Sequence, residues 1–401
     1  MTIVARHMSR IKASPAAVIS AQAMEMARAG RDVIALSAGE PDFDTPDHVK
    51  AAAVRAIGEG KTKYPPLTGI PELREAVCRK LERENGLRYA PDQVLVCNGG
   101  KQVISNALTA TLDPGDEVVI PAPFWVSYPD MVLLAGGNPV VVATDAANRF
   151  RLEPAQLEAA ITARTKWLIL NNPCNPSGAV YSAQDIAAIA AVLQRHPHVW
   201  VLADDIYEHI IYNGEPFSTM AQVAPDLHER TLTMNGLSKA YCMTGWRIGY
   251  GAGPKALIAA MAKIQSQTTS GASSISQWAG VEALDGDQTF IQDNVAVFRE
   301  RRDLGASLLN QADGLSCGMP EGAFYLYVDC RETIGKRTPQ GDTIETDADF
   351  GKYLLESEEV AVVHGEAFGL SPYFRVSYAL ATEQLREACT RIQRACAALS
   401  G

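Results

Sequence analysis

The feature that most constrains this chain is a set of short, continuously apolar runs, each closed by turn or polar residues. They are "VLVCNGG" (94–100), "EVVIPAP" (117–123), "PVVVA" (139–143), "WLILNNP" (167–173), "WVLADDIY" (200–207), "TLTMNG" (231–236) and "RIGYGAG" (247–253). A strand that is apolar at consecutive positions buries both faces, so these runs belong in a sheet covered on both sides. Helix signals fall around and between them. Ser14-Pro15 is expected to cap and open a helix stopping at Gly30, and Thr45-Pro46 one stopping near Gly58. Ser182 and Asp185 make a capping box ahead of "IAAIAAVLQRH". Strands alternating with helices give an α/β fold with a mostly parallel central sheet.

The C-terminal part reads differently. "GAFYLYVD" (322–329), "VAVVHG" (360–365) and "YFRVSYA" (373–379) are separated by polar, charged stretches and suggest a smaller α+β unit. Its boundary is expected near residue 300, in the charged helix "NVAVFRERRDLGASLL", and "TPQGDTIETD" reads as an exposed loop. The chain has 36 basic and 46 acidic residues, a formal charge of -10, which argues against nucleic acid or an anionic membrane as the main partner. Eight scattered cysteines without a CxxC pair indicate reduced thiols, with neither a disulfide framework nor a metal site. "MTIVARHMSRIKAS" lacks the apolar core of a signal peptide, and no run approaches a membrane span, so a cytoplasmic protein is expected.

In an open α/β sheet, ligands sit beyond the carboxyl ends of the strands. The residues that follow the apolar runs are Gly99-Gly100-Lys101, Trp125, Asn175, Asp204 with Tyr207, and Lys239 with Arg247. Gly99-Gly100 ahead of "KQVISNALTATL" can offer backbone N–H groups to an anion at a helix start. There is no Walker A pattern, and "GYGAGP" is not a dinucleotide fingerprint. Asp204 ends an apolar strand, where a carboxylate is costly unless paired, and Asp205 is expected to be its solvated neighbour. Lys239 lies among small and apolar residues, which lowers a lysine pKa. Period-2 alternation puts Arg375 on the face of Tyr373 and Ser377, opposite Phe374, Val376 and Tyr378. Taken singly, each also fits a plain turn, a helix cap, core packing or a salt bridge.

Together they resemble the fold-type I pyridoxal 5'-phosphate enzymes. The chain is similar to the class I aminotransferases of the aspartate aminotransferase family, most of all its bacterial branch of thermophilic and rhizobial enzymes. The motifs are "GEPDFDTP" (39–46), "KTKYPPLTGIPELREAV" (61–77), "NGGKQ" (98–102), "PFWVSYPDM" (123–131), "NNPCNPSGAVY" (171–181), "DDIYEHI" (204–210), "SKAYCMTGWRIGYGAGP" (238–254) and "FRVSYA" (374–379).

The resemblance implies an N-terminal arm (1–13), a small domain (14–47 plus 301–401) and a large cofactor-binding domain (48–300). It implies that Lys239 bonds covalently to pyridoxal phosphate and then shuttles the substrate proton, while Asp204 pairs with the pyridine nitrogen. Tyr207 and Asn175 bond the ring hydroxyl, Trp125 stacks on the ring, and Gly100, Lys101 and Arg247 hold the phosphate. Tyr64, with Thr268 or Thr269, reaches the site of a second subunit, so a homodimer is implied. Arg375 binds the substrate α-carboxylate, with Gly39 and Asn175 beside it, and Lys101 the distal carboxylate. The implied reaction is ping-pong transfer of an amino group between aspartate or glutamate and a 2-oxo acid such as 2-oxoglutarate.

Two positions depart from the family pattern. Gly236 stands where many relatives carry a phosphate-binding hydroxyl, and Ala16 where the branch has threonine. The alternatives are an aromatic, broad-specificity or prephenate aminotransferase; the missing hydroxyl at Ala16 weighs against prephenate or tight aspartate recognition and towards aromatic or broad specificity. Further from the pattern lie a lyase on the same fold and a cofactor-binding regulator.

Overall fold

The computed structural model describes residues 3–401; the first two residues of the expected N-terminal arm lie outside the described residues. The helices are α1 (Pro15–Arg28), α2 (Asp47–Gly58), α3 (Pro71–Asn85), α4 (Gly100–Thr111), α5 (Tyr128–Leu134), α6 (Pro154–Ala160), α7 (Ala183–Arg195), α8 (Met220–Val223), α9 (Lys255–Thr268), α10 (Ser274–Asp285), α11 (Thr289–Leu309), α12 (Asp347–Glu358) and α13 (Thr382–Ala397). The strands are β1 (Ile34–Ala35), β2 (Val94–Asn98), β3 (Glu117–Ala122), β4 (Asn138–Ala143), β5 (Thr165–Asn171), β6 (Trp200–Asp204), β7 (Thr231–Gly236), β8 (Ile248–Ala252), β9 (Ser316–Cys317), β10 (Tyr325–Asp329), β11 (Val360–Ala361), β12 (Val363–His364) and β13 (Tyr373–Ser377).

All seven apolar runs become strands, β2 to β8, of one sheet in the order β2-β8-β7-β6-β5-β3-β4. Alternate residues of each strand go to opposite faces. Val118, Ile120, Trp167, Ile169 and Leu202 pack under α4, α5 and α9, whereas Val119, Leu168, Leu170, Val201 and Ala203 pack under α6 and α7. Burial on both faces is why the runs are apolar throughout, except at edge strand β4, where no residue is fully buried and Val141 is exposed.

Every neighbour pair from β7 to β4 is parallel, but β8 runs antiparallel to both β2 and β7. That reversal brings the N-terminal end of β8, with Arg247 just before it, to the edge where β2, β3, β5, β6 and β7 end. Close backbone approach makes it possible. Gly236 of β7 pairs with Gly249 of β8. A Cβ on Gly249 would sit 2.3 Å from Gly100 N, and one on Gly236 would sit 2.9 Å from Ile248 O. Gly236 therefore cannot carry the hydroxyl that the family pattern puts there without moving the β7–β8 pair.

A second sheet, antiparallel in the order β12-β13-β10-β9, sets Arg375 opposite Tyr327. A separate parallel pair, β1-β11, joins Ile34 to Val360. These two-residue strands, and β9, are too short to leave a periodic signal. Helix α11 runs unbroken through residue 300. The largest apolar core extends from α3 and β2 to α11, α13 and β10.

Some local expectations need correction. Ser14 and Pro46 occupy the cap positions of α1 and α2, yet neither helix start has a side-chain cap bond. The Thr45 hydroxyl instead donates to Cys242 O (2.6 Å) and accepts from Trp246 Nε1 (2.9 Å), a tertiary bond replacing a local one. The Ser182–Asp185 capping box is present. The expected loop 338–347 is mostly exposed as read, with only Thr338, Ile344 and Asp347 buried; Arg337 just before it bridges Thr343 and Ser400, and Thr346 with Asp349 caps α12. Asp205 is not solvated but 2% exposed, with Thr219 Oγ1 donating to it at 2.6 Å. Burial, with the charges of Glu208 and Asp204, pushes its pKa well up.

Gly249→Ala tests the close approach. Forcing a methyl group against the Gly99–Gly100 backbone is expected to cost roughly 1–3 kcal/mol, read as a lower urea midpoint. An unchanged midpoint would contradict the packing described.

Candidate active site

The carboxyl edge of the large sheet and the β13 face of the small one enclose a cleft of about 430 Å³. Its lining includes Gly39, Gly100, Lys101, Trp125, Asn175, Asp204, Tyr207, Lys239, Arg247 and Arg375. Tyr64, Thr268 and Thr269 do not line the cleft of their own chain. Tyr64 is 97% exposed, Thr268 bonds the carbonyls of its own helix, and Thr269 accepts from Gln102 Nε2.

At one end of the cleft, β2 turns into α4 through Gly99, whose φ is 84°. A Cβ there would meet Arg247 Nη2 at 2.3 Å, so only glycine lets the guanidinium lie against the helix start. The first N–H groups of α4 and the Arg247 fork form an anion cradle. Arg247 is exposed, has φ 57°, and donates through Nη1 to Thr244 O at 2.9 Å. Lys101 Nζ sits 4.8 Å from the Trp125 ring centroid. Partial burial, with Arg247 as a second cause, lowers its pKa.

Asp204 closes β6 at 3% exposure. Tyr128 Oη donates to its Oδ2 at 2.5 Å, and Ile206 N to its Oδ1 at 3.3 Å. Burial raises its pKa to about 6, although the Tyr128 bond, the Ile206 N–H and the Lys239 charge all oppose that. Tyr207 shares a hydrogen bond with Tyr325 (2.8 Å). Lys239 follows β7, and its Nζ donates to Gly39 O at 2.6 Å. Burial lowers its pKa to about 8, helped by Arg375 and Arg247 and resisted by Glu40 and Asp204. With its pKa brought down to about 8, this amine is accessible as a nucleophile and base close to neutral pH.

Arg375 is 4% exposed and pairs with no carboxylate among the described residues. Nη1 donates to Asn175 Oδ1 (2.9 Å) and Nη2 to Ser37 O (2.6 Å). Its Cζ lies 4.5 Å from the Tyr325 ring centroid and 5.0 Å from that of Phe368. Nε is buried without a partner. A buried guanidinium without a counter-ion is costly unless an anion arrives. Sequence reasoning missed Tyr128, Tyr325 and Ser37, which hold Asp204, Tyr207 and Arg375. Tyr128, three residues after Trp125 in "PFWVSYPDM", carried a usable signal, since a buried tyrosine hydroxyl usually finds a partner.

The family model for aminotransferase class I and II matches residues 31–392. The chain belongs to that family. It is an aminotransferase, and enzymes of this family generally depend on pyridoxal 5'-phosphate. It is 58% identical to the aspartate/prephenate aminotransferase of Cereibacter sphaeroides over the whole of both chains. It is 56% identical to an aspartate aminotransferase of Rhizobium meliloti, over 99% of this chain and 97% of that one. Among solved structures, the Rhizobium meliloti aspartate aminotransferase superposes with a TM-score of 0.97 at 55% identity, over all of both chains. The Thermus thermophilus aspartate aminotransferase with maleate gives 0.92 at 44%, over 98% of this chain and all of that one. The described residues contain no helix long and apolar enough to cross a membrane.

Asp204 supplies a pH test on the cofactor-free aminotransferase. Its folded pKa, about 6, lies above the ordinary aspartate value of 3.8. The folded state therefore binds the proton more tightly, and stability falls as pH rises through that window, by on the order of 3 kcal/mol above it. Asp204→Asn is expected to be more stable than the parent at pH 7 and to lose the advantage below about pH 4, measured by urea unfolding. A pH-independent difference would contradict the buried-carboxylate assignment.

Proposed function

We propose that this aminotransferase holds pyridoxal 5'-phosphate in the cleft and moves amino groups between aspartate or glutamate and 2-oxo acids, with 2-oxoglutarate as one acceptor. The observation that carries the reading is the charge arrangement. The lining holds Lys101, Lys239, Arg247 and Arg375 against only Glu40 and Asp204, and Arg375 Nε is unpaired. A phosphate at one end and a substrate carboxylate at the other satisfy that excess.

The donors fit the cofactor. The α4 N-terminus and Arg247 would take the phosphate, and Asp204, held by Tyr128, would take the protonated ring nitrogen. Trp125 would cover the ring, and Tyr207 with Asn175 would bond its hydroxyl. Bound there, the cofactor supplies an amine-condensing aldehyde and a ring that accepts the electron pair left on the substrate α-carbon.

The remaining work belongs to this chain's residues. Arg375 has five N–H donors; Asn175 and Ser37 occupy two, which leaves donors for the α-carboxylate. Lys239 Nζ, whose lowered pKa brings the free amine within reach near neutral pH, takes the α-proton and returns it two atoms along, past the amino nitrogen. The Gly39 carbonyl steadies the protonated amine between those transfers. Asp204 stays charged through pairing, which removes the burial cost that raises its pKa.

Lys101, beside Trp125 in a lining that also includes Ala16 and Ser14, supports a distal carboxylate. We also read the chain as a homodimer, supported by the full exposure of Tyr64, and as cytoplasmic, supported by eight free cysteines. Residues 14–47 and 301–401 would close over the substrate, with Gly39 and Arg375 carried on that unit.

The experiment is a donor panel against 2-oxoglutarate for the parent and Lys101→Ala. Losing one charge-assisted bond should lower kcat/KM for aspartate about 10- to 100-fold, and that for phenylalanine or tyrosine by less than about threefold. Equal losses would refute the assigned role of Lys101. A parent that uses no dicarboxylic donor would refute the substrate class.

A further inference from the structure

Behind Tyr207, away from the cleft, lies a buried polar cluster that the proposed chemistry does not use. Lys80 of α3 is fully buried and pairs with Glu208, which is 5% exposed. Glu208 Oε1 also accepts from Asn235 Nδ2 (2.6 Å), and Oε2 from Asn85 Nδ2 (2.8 Å). Lys80 Nζ donates to Asn85 Oδ1 at 2.9 Å and lies 3.4 Å from Glu84. His209 bonds Glu84 Oε2 through Nε2 (2.9 Å), and its ring meets that of Tyr241 edge-on with centroids 5.7 Å apart.

As a source of stability this cluster is poorly chosen. Two charges removed from water gain little over well-packed apolar residues of the same volume. Its connectivity is what sets it apart. Glu208 and His209 directly follow Tyr207 in the chain. Their partners, Asn235 and Tyr241, stand on either side of Lys239, four residues before it and two after. The turn that carries Asp204 and Tyr207 is thereby clamped to both flanks of the loop that carries Lys239. Within the clamp, Lys239 Nζ lies 5.9 Å from the Tyr207 ring centroid.

We propose that Glu208 is a positioning residue for the reaction: through Asn235 it fixes the Lys239 amine relative to Tyr207 and Asp204. The proposal rests on the reading of Lys239 as the amine that joins the cofactor. Burial alone would push the Glu208 carboxyl up, but the Lys80 ammonium and His209 hold it below the usual range. It is therefore a full anion, accepting from lysine and both amides at once.

Two double variants of the cofactor-loaded enzyme separate positioning from mere support. Lys80→Met with Glu208→Gln, and Lys80→Met with Glu208→Leu, both avoid leaving an unpaired ammonium in the core. Only the first keeps an oxygen to accept from Asn235. The readouts are the pH midpoint of the bound cofactor's absorbance change, kcat and KM for aspartate, and the thermal midpoint. The Glu208→Leu double variant should shift the absorbance midpoint by about half a pH unit or more and lower kcat about 10- to 100-fold, with KM within about twofold. The Glu208→Gln double variant should restore both to within about threefold of the parent. Asn235→Ala, which breaks the same bond from the other side, should move the absorbance midpoint in the same direction as the leucine variant. It keeps the test open if that variant does not fold. Parental absorbance and kcat in the leucine variant or in Asn235→Ala would overturn the proposal. So would equal losses in both double variants, tracking the thermal midpoint. A parent enzyme that takes up no pyridoxal phosphate is a separate failure, and would overturn the assignment of Lys239 itself.

Discussion

An excess of positive charge in one half-enclosed cleft governs this molecule. Lys101, Lys239, Arg247 and Arg375 line it, with only Glu40 and Asp204 to set against them. Like charges in a space of restricted solvation repel more strongly than in water. Part of that repulsion is relieved by Lys239, whose pKa falls to about 8 as burial, Arg375 and Arg247 disfavour its proton. Arg375 cannot release its proton in the same way, and it retains a buried, unpartnered Nε. A site in this condition binds anions, and its lysine is available as a free amine.

The fold creates the condition by topology. Parallel strands deliver Trp125, Asn175, Asp204 and Lys239 to one edge, and the reversed β8 delivers Arg247 to the same edge. Glycines at 99, 236 and 249 allow the backbones to close up there. The second sheet adds Arg375 from the opposite side, with its guanidinium between Tyr325 and Phe368. Asn175 ties the two sheets together, accepting from Arg375 while its own N–H donates to Asn171. The guanidinium proposed for substrate binding and the relative placement of the two sheets thus share a bond.

The strands were legible because a sheet covered on both faces needs apolar residues at consecutive positions. The site residues at strand ends were legible only as a set: the acid after "WVLA" or the lysine after "TMNGLS" has an ordinary structural reading alone, and the shared strand-end position and ordered motifs single them out. The direction of β8 was not legible, since "RIGYGAG" reads alike in either sense. Partners distant in sequence were also hidden. Tyr128 and Asp204 are 76 residues apart, and Lys80 and Glu208 are 128 apart. Asp205 shows the opposite error: beside one buried acid, water seemed the natural partner of the second, but Thr219 is folded over it. The departures at Gly236 and Ala16 differ in kind. The first is enforced by the β7–β8 contact; the second leaves Ser14, Ser20 and Ser37 as the hydroxyls of that part of the cleft.

The central claim is that these residues run one half of an amino-group exchange on a cofactor held by Lys239. A single-turnover half-reaction tests it most directly. The purified enzyme, loaded with pyridoxal phosphate and given glutamate with no oxo acid present, should release 2-oxoglutarate in an amount equal to its active sites and then stop, leaving the amino group on the cofactor. Continued release of ammonia or carbon dioxide, or no oxo acid at all, would contradict the account.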